Sequence, residues 1–191
     1  MNNLPKLPKS PFPPALFFFL DNPLRRLIFN REKFIRDMGI KQGDTVLEMG
    51  CGPGFFTETL SIVTGKNGKV YAQDVEEKML KRVEAKLPGF GFKNVTLLLS
   101  NSSSLPLSDG ACDAVFCANV LEEIYRENEL AGTIKEIHRV LKKPGILIIK
   151  EHRPGGTRKI MEEVKKAFLA LGYEKCVDIA TLFSFHVKFR K

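Results

Sequence analysis

Residues 45–57, with the sequence TVLEMGCGPGFFT, constrain the fold of this chain more than any other segment. Residues 45–49 predict a short buried strand, and an apolar, helix-like run follows the segment. Between them lie Gly50, Gly52 and Gly54, at every second position. Glycine allows a ligand to approach the backbone because no Cβ intervenes, and tight turns often need a positive φ. A strand, a glycine turn and a helix in this order predict a nucleotide-type site at the edge of a parallel sheet.

Strand-like and helix-like runs alternate from residue 43 onward. Predicted strands cover residues 45–49, 69–73, 95–99, 112–118 and 146–150, and predicted helices cover 55–63, 76–87, 129–141 and 158–171. The last two strands, 174–179 and 182–190, leave no room for a helix between them, so they must be antiparallel neighbours. The sequence therefore predicts an α/β fold, with a doubly wound, mostly parallel seven-stranded sheet that ends in a C-terminal antiparallel hairpin.

Residues 1–43 lie outside this alternation, so we predict an N-terminal helical extension over 1–43 and one domain over 44–191. Between positions 24 and 36, leucine, isoleucine and phenylalanine interleave with arginine, which indicates one or two amphipathic helices. Three interpretations stay open. The extension packs on the sheet, or it forms a lid over a site beyond the strands' C-terminal ends, or it lies on a membrane surface.

The charge of the chain is uneven along its length. Its 191 residues carry a net +8, of which residues 1–43 contribute +5, residues 44–141 contribute −4 and residues 142–191 contribute +7. Basic ends suit an acidic substrate, RNA or an anionic membrane surface. The alternative is a solvated lysine-rich surface, because no motif that combines aromatic and basic residues for RNA binding is visible.

Cysteine usage and hydropathy indicate the compartment. The four cysteines are scattered without a CxxC pair, which favours reduced thiols and predicts no metal site, zinc included. The longest apolar run near the N-terminus, residues 15–20, is far too short to span a bilayer and has no cleavage pattern of a signal peptide. We therefore predict a cytoplasmic protein, with peripheral membrane contact as the alternative.

The acidic residue before the glycine turn distinguishes between two kinds of ligand, a diphosphate and a cation. A dinucleotide turn reads G-x-G-x-x-G and holds a pyrophosphate at a helix N-terminus, but Glu48 precedes the first glycine here and would repel a diphosphate. A carboxylate favours a cation instead, and the acidic middle of the chain agrees. S-adenosylmethionine is such a ligand, because it carries an ammonium and a sulfonium on an adenosine. Phe55 and Phe56 suit either cation–π contact or core packing.

Four segments together resemble one family. Residues 48–54 (EMGCGPG) resemble motif I of the class I S-adenosylmethionine-dependent methyltransferases, and residues 70–74 (VYAQD) resemble that family's second strand with its terminal acid. Residues 105–115 resemble the segment before the family's fourth strand. Residues 136–145 resemble the segment in which the helix before its fifth strand ends. The resemblance covers about residues 43–151. It implies the Rossmann-like methyltransferase fold, S-adenosyl-L-methionine as cofactor, and an enzyme that transfers a methyl group.

The resemblance also implies roles for individual residues. The residues expected to contact the cofactor are Glu48, Gly50, Cys51, Gly52, Gly54, Phe55, Asp74, Val75, Met79, Asn101, Ser102 and Asn119. The three glycines and Glu48 would face the methionine portion, and Asp74 would accept both ribose hydroxyls. An ordinary helix N-cap remains the alternative role for Asp74, and the two roles are compatible.

The chain departs from the family after its third strand. Many members carry an aspartate there that accepts from the adenine amino group, whereas this chain has Asn101 followed by three serines. The amide oxygen of Asn101 still accepts, without charge, so we expect weaker cofactor binding at this contact. Ser102 offers an alternative contact, and a plain polar loop is the remaining interpretation.

Methyl transfer from a sulfonium is an in-line displacement, so alignment of nucleophile, carbon and sulfur is the main task. A general base is needed only when the nucleophile carries a proton. Residues after strands four and five should stand over the methyl group, so His152 is the candidate base and Asn119 the candidate for orienting the substrate. A surface-loop histidine without a role remains the alternative for His152. For His138 and His186, placed in a predicted helix and a predicted strand, we expect structural or surface roles.

The sequence thus predicts methyl transfer to an unidentified small-molecule or lipid acceptor. A non-catalytic cofactor-binding module that acts through partners and an RNA methyltransferase are the alternatives, and a nicotinamide-dependent oxidoreductase is disfavoured by Glu48 and the glycine spacing. The chain lacks an Asn-Pro-Pro-Tyr-like segment after strand four, which argues against a DNA substrate.

Overall fold

The computed structural model describes residues 30–90, 93–152, 157–181 and 184–191. They form a seven-stranded sheet with the strand order β3-β2-β1-β4-β5-β7-β6. Strands β1 to β5 run parallel to one another, whereas β7 is antiparallel to both β5 and β6. The strands are β1 Thr45–Met49, β2 Lys69–Asp74, β3 Val95–Leu99, β4 Cys112–Ala118, β5 Leu141–His152, β6 Glu174–Ala180 and β7 Ser184–Arg190. The predicted doubly wound sheet and its C-terminal hairpin are confirmed.

Six α-helices connect or flank these strands within the described residues. They are α1 Arg31–Asp37, α2 Thr57–Thr64, α3 Glu77–Lys86, α4 Leu121–Arg126, α5 Leu130–Val140 and α6 Thr157–Ala170. A short 3-10 turn, Leu87–Gly89, follows α3. None of the helices in the described ranges is both long and apolar enough to cross a membrane.

The side chains of the sheet alternate between two hydrophobic layers. Val46 and Phe116 face α1 and α2, in a layer that also holds Ile35, Leu60 and Ile148. Residues at the neighbouring positions, among them Leu47, Cys117 and Ile149, pack on the opposite face with α4, α5 and α6. Successive side chains in a strand point to opposite faces of the sheet, so the central strands carry apolar side chains on both faces. Polar side chains therefore concentrate where the strands end.

The structure corrects two element predictions. The fifth strand begins at Leu141 rather than at residue 146, because Leu141 pairs with Cys112 of β4 across an irregularity in the register. The Pro144-Gly145 pair therefore lies inside the strand, near its beginning, although it was expected to separate helix and strand. The second is the short helix α4, which follows β4 in a segment for which no element was predicted.

The predicted N-terminal extension is described only from residue 30 onward. Its last helix, α1, packs its buried Ile35 against the layer on α2 and the sheet, as the packing interpretation expects. Arg31, at the start of α1, donates to the carbonyl oxygen of Phe55. The apolar positions 24, 27 and 28 lie outside the described residues, so the lid and membrane-surface interpretations stay predictions, as does the boundary at residue 43.

Candidate cofactor and methyl-transfer site

A cavity of about 400 Å³ opens at the C-terminal ends of β1, β2, β4 and β5. The strand order changes direction between β1 and β4, and ligands in open α/β sheets bind at such a switch point. All predicted cofactor residues except Gly54 line this cavity, and so do both predicted catalytic residues, Asn119 and His152. Sequence positions more than 100 residues apart are thus brought to one site.

The three glycines of the turn have different surroundings. Each has a positive φ, of 66° at Gly50, 53° at Gly52 and 86° at Gly54. A Cβ on Gly50 would lie 2.2 Å from Cγ1 of Val120, whereas a Cβ on Gly52 would meet nothing within 4 Å. Gly54 is turned toward Val83 of α3 instead of the cavity. The backbone at Gly52 is therefore the surface that a ligand could approach most closely.

Asp74, the last residue of β2, links the glycine turn to α3. Its Oδ2 accepts from the backbone N–H of Gly52 at 2.8 Å, and its Oδ1 accepts from the backbone N–H of Glu76 at 2.9 Å. The second bond is the expected contact ahead of a helix. A carboxylate has about four lone-pair positions, so these backbone donors leave acceptor capacity for a vicinal diol. Burial raises the pKa of Asp74, and these backbone donors oppose the rise.

Glu48 lies on β1 beneath the turn and is 3% exposed. Thr57, the first residue of α2, donates its hydroxyl to Oε2 of Glu48 at 2.6 Å. Burial raises the pKa of Glu48 to about 8, with a further contribution from the charge of Asp74. A buried carboxyl of this kind ionises readily only when a cation lies beside it.

The loop after β3 holds the two residues predicted for the adenine. Oδ1 of Asn101 accepts from the backbone N–H of Ser103 at 3.1 Å, a contact within the loop. The hydroxyl of Ser102 is 2.7 Å from that of Thr133 on α5. Both residues line the cavity but also stabilise the loop, so the loop interpretation and the adenine interpretation are compatible.

Asn119 and His152 follow neighbouring strands and are bonded to each other. The backbone N–H of His152 donates to Oδ1 of Asn119 at 2.9 Å, and the backbone N–H of Asn119 donates to the carbonyl of Lys150 at 2.8 Å. Asn119 has a φ of 58°, which is uncommon outside glycine and costs backbone strain. The side chain of Asn119 therefore fixes the chain where β4 and β5 end. His138 and His186 lie in α5 and β7, outside the cavity lining.

Although the sequence favoured its neighbour His152 among the residues at the end of the fifth strand, Glu151 also lines the cavity. It is 3% exposed, and its Oε1 accepts from the backbone N–H groups of Val120 at 2.9 Å and Leu121 at 3.2 Å. Burial raises its pKa to about 7. An available signal was the alternation along β5, since Leu147, Ile149 and Glu151 share one buried face and only the last is polar.

The cavity is strongly acidic. Its lining carries seven carboxyl groups, those of Glu48, Asp74, Glu76, Glu122, Glu123, Glu127 and Glu151. Among the described lining residues the only Lys or Arg is Arg126, and it is paired with Glu122. Apolar side chains, including Phe55, Met79 and Ile124, cover the rest. Such a site suits a cation that carries apolar and hydrogen-bonding parts.

S-adenosylmethionine fits this donor set. The open approach at Gly52 leaves room for its methionine portion, and the buried Glu48 offers a counter-charge to its cationic groups. The remaining lone pairs of Asp74 suit two ribose hydroxyls. A pyrophosphate would meet repulsion from the same carboxyl groups.

Comparison with known families supports the same ligand. A family model described as a methyltransferase domain matches residues 40–184. A demethylmenaquinone methyltransferase of Geobacillus stearothermophilus is 34% identical over 127 residues, which are 66% of this chain and 53% of that protein. The ubiquinone/menaquinone biosynthesis C-methyltransferase UbiE of Escherichia fergusonii is 32% identical over 145 residues, 75% of this chain and 55% of that protein. The chain thus spans about half the length of these curated relatives.

Solved structures agree with the fold. A SAM-dependent methyltransferase from Aquifex aeolicus superposes with a TM-score of 0.82 at 31% identity, over 94% of this chain and 98% of that one. The PH0226 protein of Pyrococcus horikoshii superposes with a TM-score of 0.71 at 18% identity, over 89% and 92% of the two chains. The second similarity concerns the fold alone.

Proposed function

The chain belongs to the class I S-adenosylmethionine-dependent methyltransferases, and from that premise we propose that its acidic cavity transfers a methyl group to a small, ring-shaped acceptor. The observation that carries the proposal is the lining itself. Seven carboxyl groups and one paired arginine surround the open backbone at Gly52. This arrangement attracts a sulfonium and an ammonium and disfavours a diphosphate.

The cofactor half of the cavity lies over β1, β2 and β3. In this proposal the methionine portion rests on the turn at Gly52 beside Glu48, and the ribose hydroxyls donate to Asp74. Asn101 and Ser102 border the adenine, with Val75 and Met79 on its apolar sides. Cys51 and Phe55 complete the wall. Binding here orders the donor before reaction, which is the main contribution an enzyme makes to an in-line displacement.

The acceptor half lies over β4 and β5. S-adenosylmethionine supplies a methyl group on a positively charged sulfur, and the residues of the chain align the acceptor behind that carbon. Asn119 fixes the ends of both strands through its bond to His152, and Ala118, Val120 and Ile124 provide an apolar wall. In this proposal an exposed His152 orients the acceptor at the mouth of the cavity.

The relatives' names narrow the acceptor class. One is named for demethylmenaquinone and another for C-methylation in ubiquinone and menaquinone biosynthesis. We infer that a quinone-type ring carbon is the acceptor, in its reduced form, because a hydroquinone is electron-rich and a quinone is not. The apolar acceptor wall suits such a ring. The similar proteins named above give no support to the predicted contacts with RNA or with an anionic lipid surface.

Calorimetry and a transfer assay test the proposal. S-adenosylmethionine and its demethylated product should bind, and NAD should not. The enzyme with reduced demethylmenaquinone of short side chain should then release S-adenosylhomocysteine and a product one methyl group heavier, both seen by mass spectrometry. Tight binding of NAD alone would refute the cofactor assignment. Cofactor binding without transfer to quinols, metabolites or RNA would favour the non-catalytic binding module.

A further inference from the structure

Glu151, the next-to-last residue of β5, has a buried carboxyl group that reaches the cavity. Its strand is separated from β1 only by β4, so its backbone lies roughly 10 Å from the strand that carries the glycine turn, at two strand spacings. That separation places it on the side of the cavity that we assign to the acceptor. His152, the base that the sequence predicts, is exposed by contrast, so the buried Glu151 is the alternative candidate for that role.

The two oxygens of Glu151 have different surroundings. Oε1 accepts two backbone N–H groups, from Val120 and Leu121 at the start of α4, and these bonds fix the carboxyl plane. Oε2 accepts no hydrogen bond from the described residues. A carboxyl group held by one oxygen, with the other available in a cavity, is oriented for proton transfer.

We propose that Glu151 is the general base that removes a hydroxyl proton from the acceptor, an inference that rests on the proposed function. The acceptor O–H proton moves to Oε2, and the electron pair it leaves makes the ring carbon nucleophilic. That carbon forms the new bond to the methyl group while the methyl–sulfur bond breaks and its electron pair remains on sulfur. Water then takes the ring C–H proton and Glu151 returns its proton to the oxygen, so the hydroxyl re-forms, Glu151 is again ionised and one proton in total leaves to solvent.

The charges around Glu151 are compatible with this role. Burial raises its pKa to about 7, the backbone donors and Lys150 oppose the rise, and Glu122 of α4 adds to it. On the neighbouring strand, the buried Cys117 has a pKa raised by burial and by Glu151 itself, so it stays a neutral thiol. A base with a pKa near the working pH is the most effective one.

Two variants separate this role from simple capping of α4. Gln in E151Q keeps an oxygen that accepts from Val120 and Leu121 but cannot take a proton, so kcat should fall by about 100- to 10,000-fold. The dissociation constant of S-adenosylmethionine should stay within about twofold, because the lost interaction belongs to the reacting acceptor. E151D, with a carboxylate one methylene shorter, should retain part of kcat and the same pH profile.

The pH profile gives a second readout. With saturating substrates, kcat of the wild type and of E151D should rise with pH and level off above about 7. The kcat of E151Q should not show this rise. A purely structural role would lower the melting temperature and the cofactor affinity of E151Q and leave kcat of the bound enzyme close to wild type. That result would overturn the proposal. The exposed Glu84 on α3 provides the matched control, E84Q.

A measurement without turnover separates this inference from the proposed function. Tetramethylhydroquinone has no ring C–H and cannot be methylated on carbon. Its addition to the S-adenosylhomocysteine complex should perturb a carboxyl band in the infrared difference spectrum that E151Q lacks. If this band appears but no quinol is methylated, the proposed acceptor chemistry fails and the contact of Glu151 stands. If quinols are methylated and the spectra of wild type and E151Q are identical, the assignment of Glu151 fails and the proposed function stands.

Discussion

Oδ2 of Asp74 accepts a hydrogen bond from the backbone N–H of Gly52 at 2.8 Å, so the acid that ends β2 holds the glycine turn that follows β1. The two strands are direct neighbours in the sheet. One carboxyl group therefore shapes the turn and, in the proposed complex, binds the ribose. A change at Asp74 should affect both functions.

We predict that Asp74→Ala weakens S-adenosylmethionine binding by about 1–3 kcal/mol, the range for loss of a hydrogen bond to a charged group. Asp74→Asn should fall between Ala and wild type, because the amide oxygen replaces one acceptor. Calorimetry measures both, with E84Q on the exposed face of α3 as the control. Unchanged affinity in Asp74→Ala would exclude the ribose contact.

The absence of a side chain at position 52 should matter more for ligand binding than for folding. Gly52 and Gly172 both have positive φ, 53° and 84°, and a Cβ on either meets nothing within 4 Å. Alanine should therefore cost each about 1–2 kcal/mol of folding stability from backbone strain alone. Only Gly52 lines the cavity.

We expect Gly52→Ala to reduce cofactor affinity at least tenfold, about 1.4 kcal/mol, while Gly172→Ala leaves it unchanged. Chemical denaturation measures the stability cost and calorimetry the affinity. Equal affinities in the two variants would show that no ligand approaches the backbone at Gly52.

The sequence predicted the sheet because the sheet depends on local patterns, whereas the residues expected at the cofactor were implied by the resemblance to a family. The β3 and β4 bounds match the predicted residues, since apolar runs between polar turns define buried strands. Helix α4 was missed because it has only six residues, too few for a periodic signal, and its first N–H groups are bonded by Glu151, about 30 positions later. A cap from a distant strand leaves no local signature.

The different surroundings of the three glycines could not be predicted from the sequence either. The 2.2 Å approach of Val120 to a Cβ at Gly50 and the turning of Gly54 toward Val83 depend on how α3 and the loop after β4 pack. Identical residues in one motif therefore received one predicted role, although only two of them line the cavity.

Three carboxyl groups of the cavity should each lower folding stability as pH rises between about 5 and 8. Burial raises the pKa of Glu48 to about 8, of Glu151 to about 7 and of Glu123 to about 6. In this window the folded state retains protons that the unfolded state has lost, so the free energy of unfolding falls as pH rises. Glu48→Gln should make this decrease shallower, and urea denaturation at several pH values measures it. A slope equal to that of wild type would contradict the burial of an unpaired Glu48.

Cofactor binding should release protons near neutral pH. A cation beside Glu48 lowers its pKa from about 8, so S-adenosylmethionine binds the ionised carboxyl group preferentially and its affinity rises with pH toward 8. Calorimetry at pH 7 in two buffers of different ionisation enthalpy gives the number of protons released. Glu48→Gln should release fewer protons than wild type. Equal proton release in the two proteins would place the cofactor's cationic groups away from Glu48.

Arg31 should connect the N-terminal helix to the cavity wall. It donates to the carbonyl of Phe55 and lies 5.0 Å from the centre of the Phe55 ring, a cation–π distance, with Glu58 3.9 Å away. Because Phe55 lines the cavity, Arg31→Ala should destabilise the fold by about 1–3 kcal/mol and weaken cofactor binding. Arg36→Ala is the matched control.

Arg36 lies on the same helix, is exposed, and pairs with Glu32, so its loss should change stability by no more than about 0.5 kcal/mol. Both variants remove one arginine, which keeps the change in net charge the same. Thermal denaturation and calorimetry then isolate the contact with Phe55 from the general effect of charge. If Arg31→Ala and Arg36→Ala bind S-adenosylmethionine equally well, the first helix contributes to the fold and not to the site.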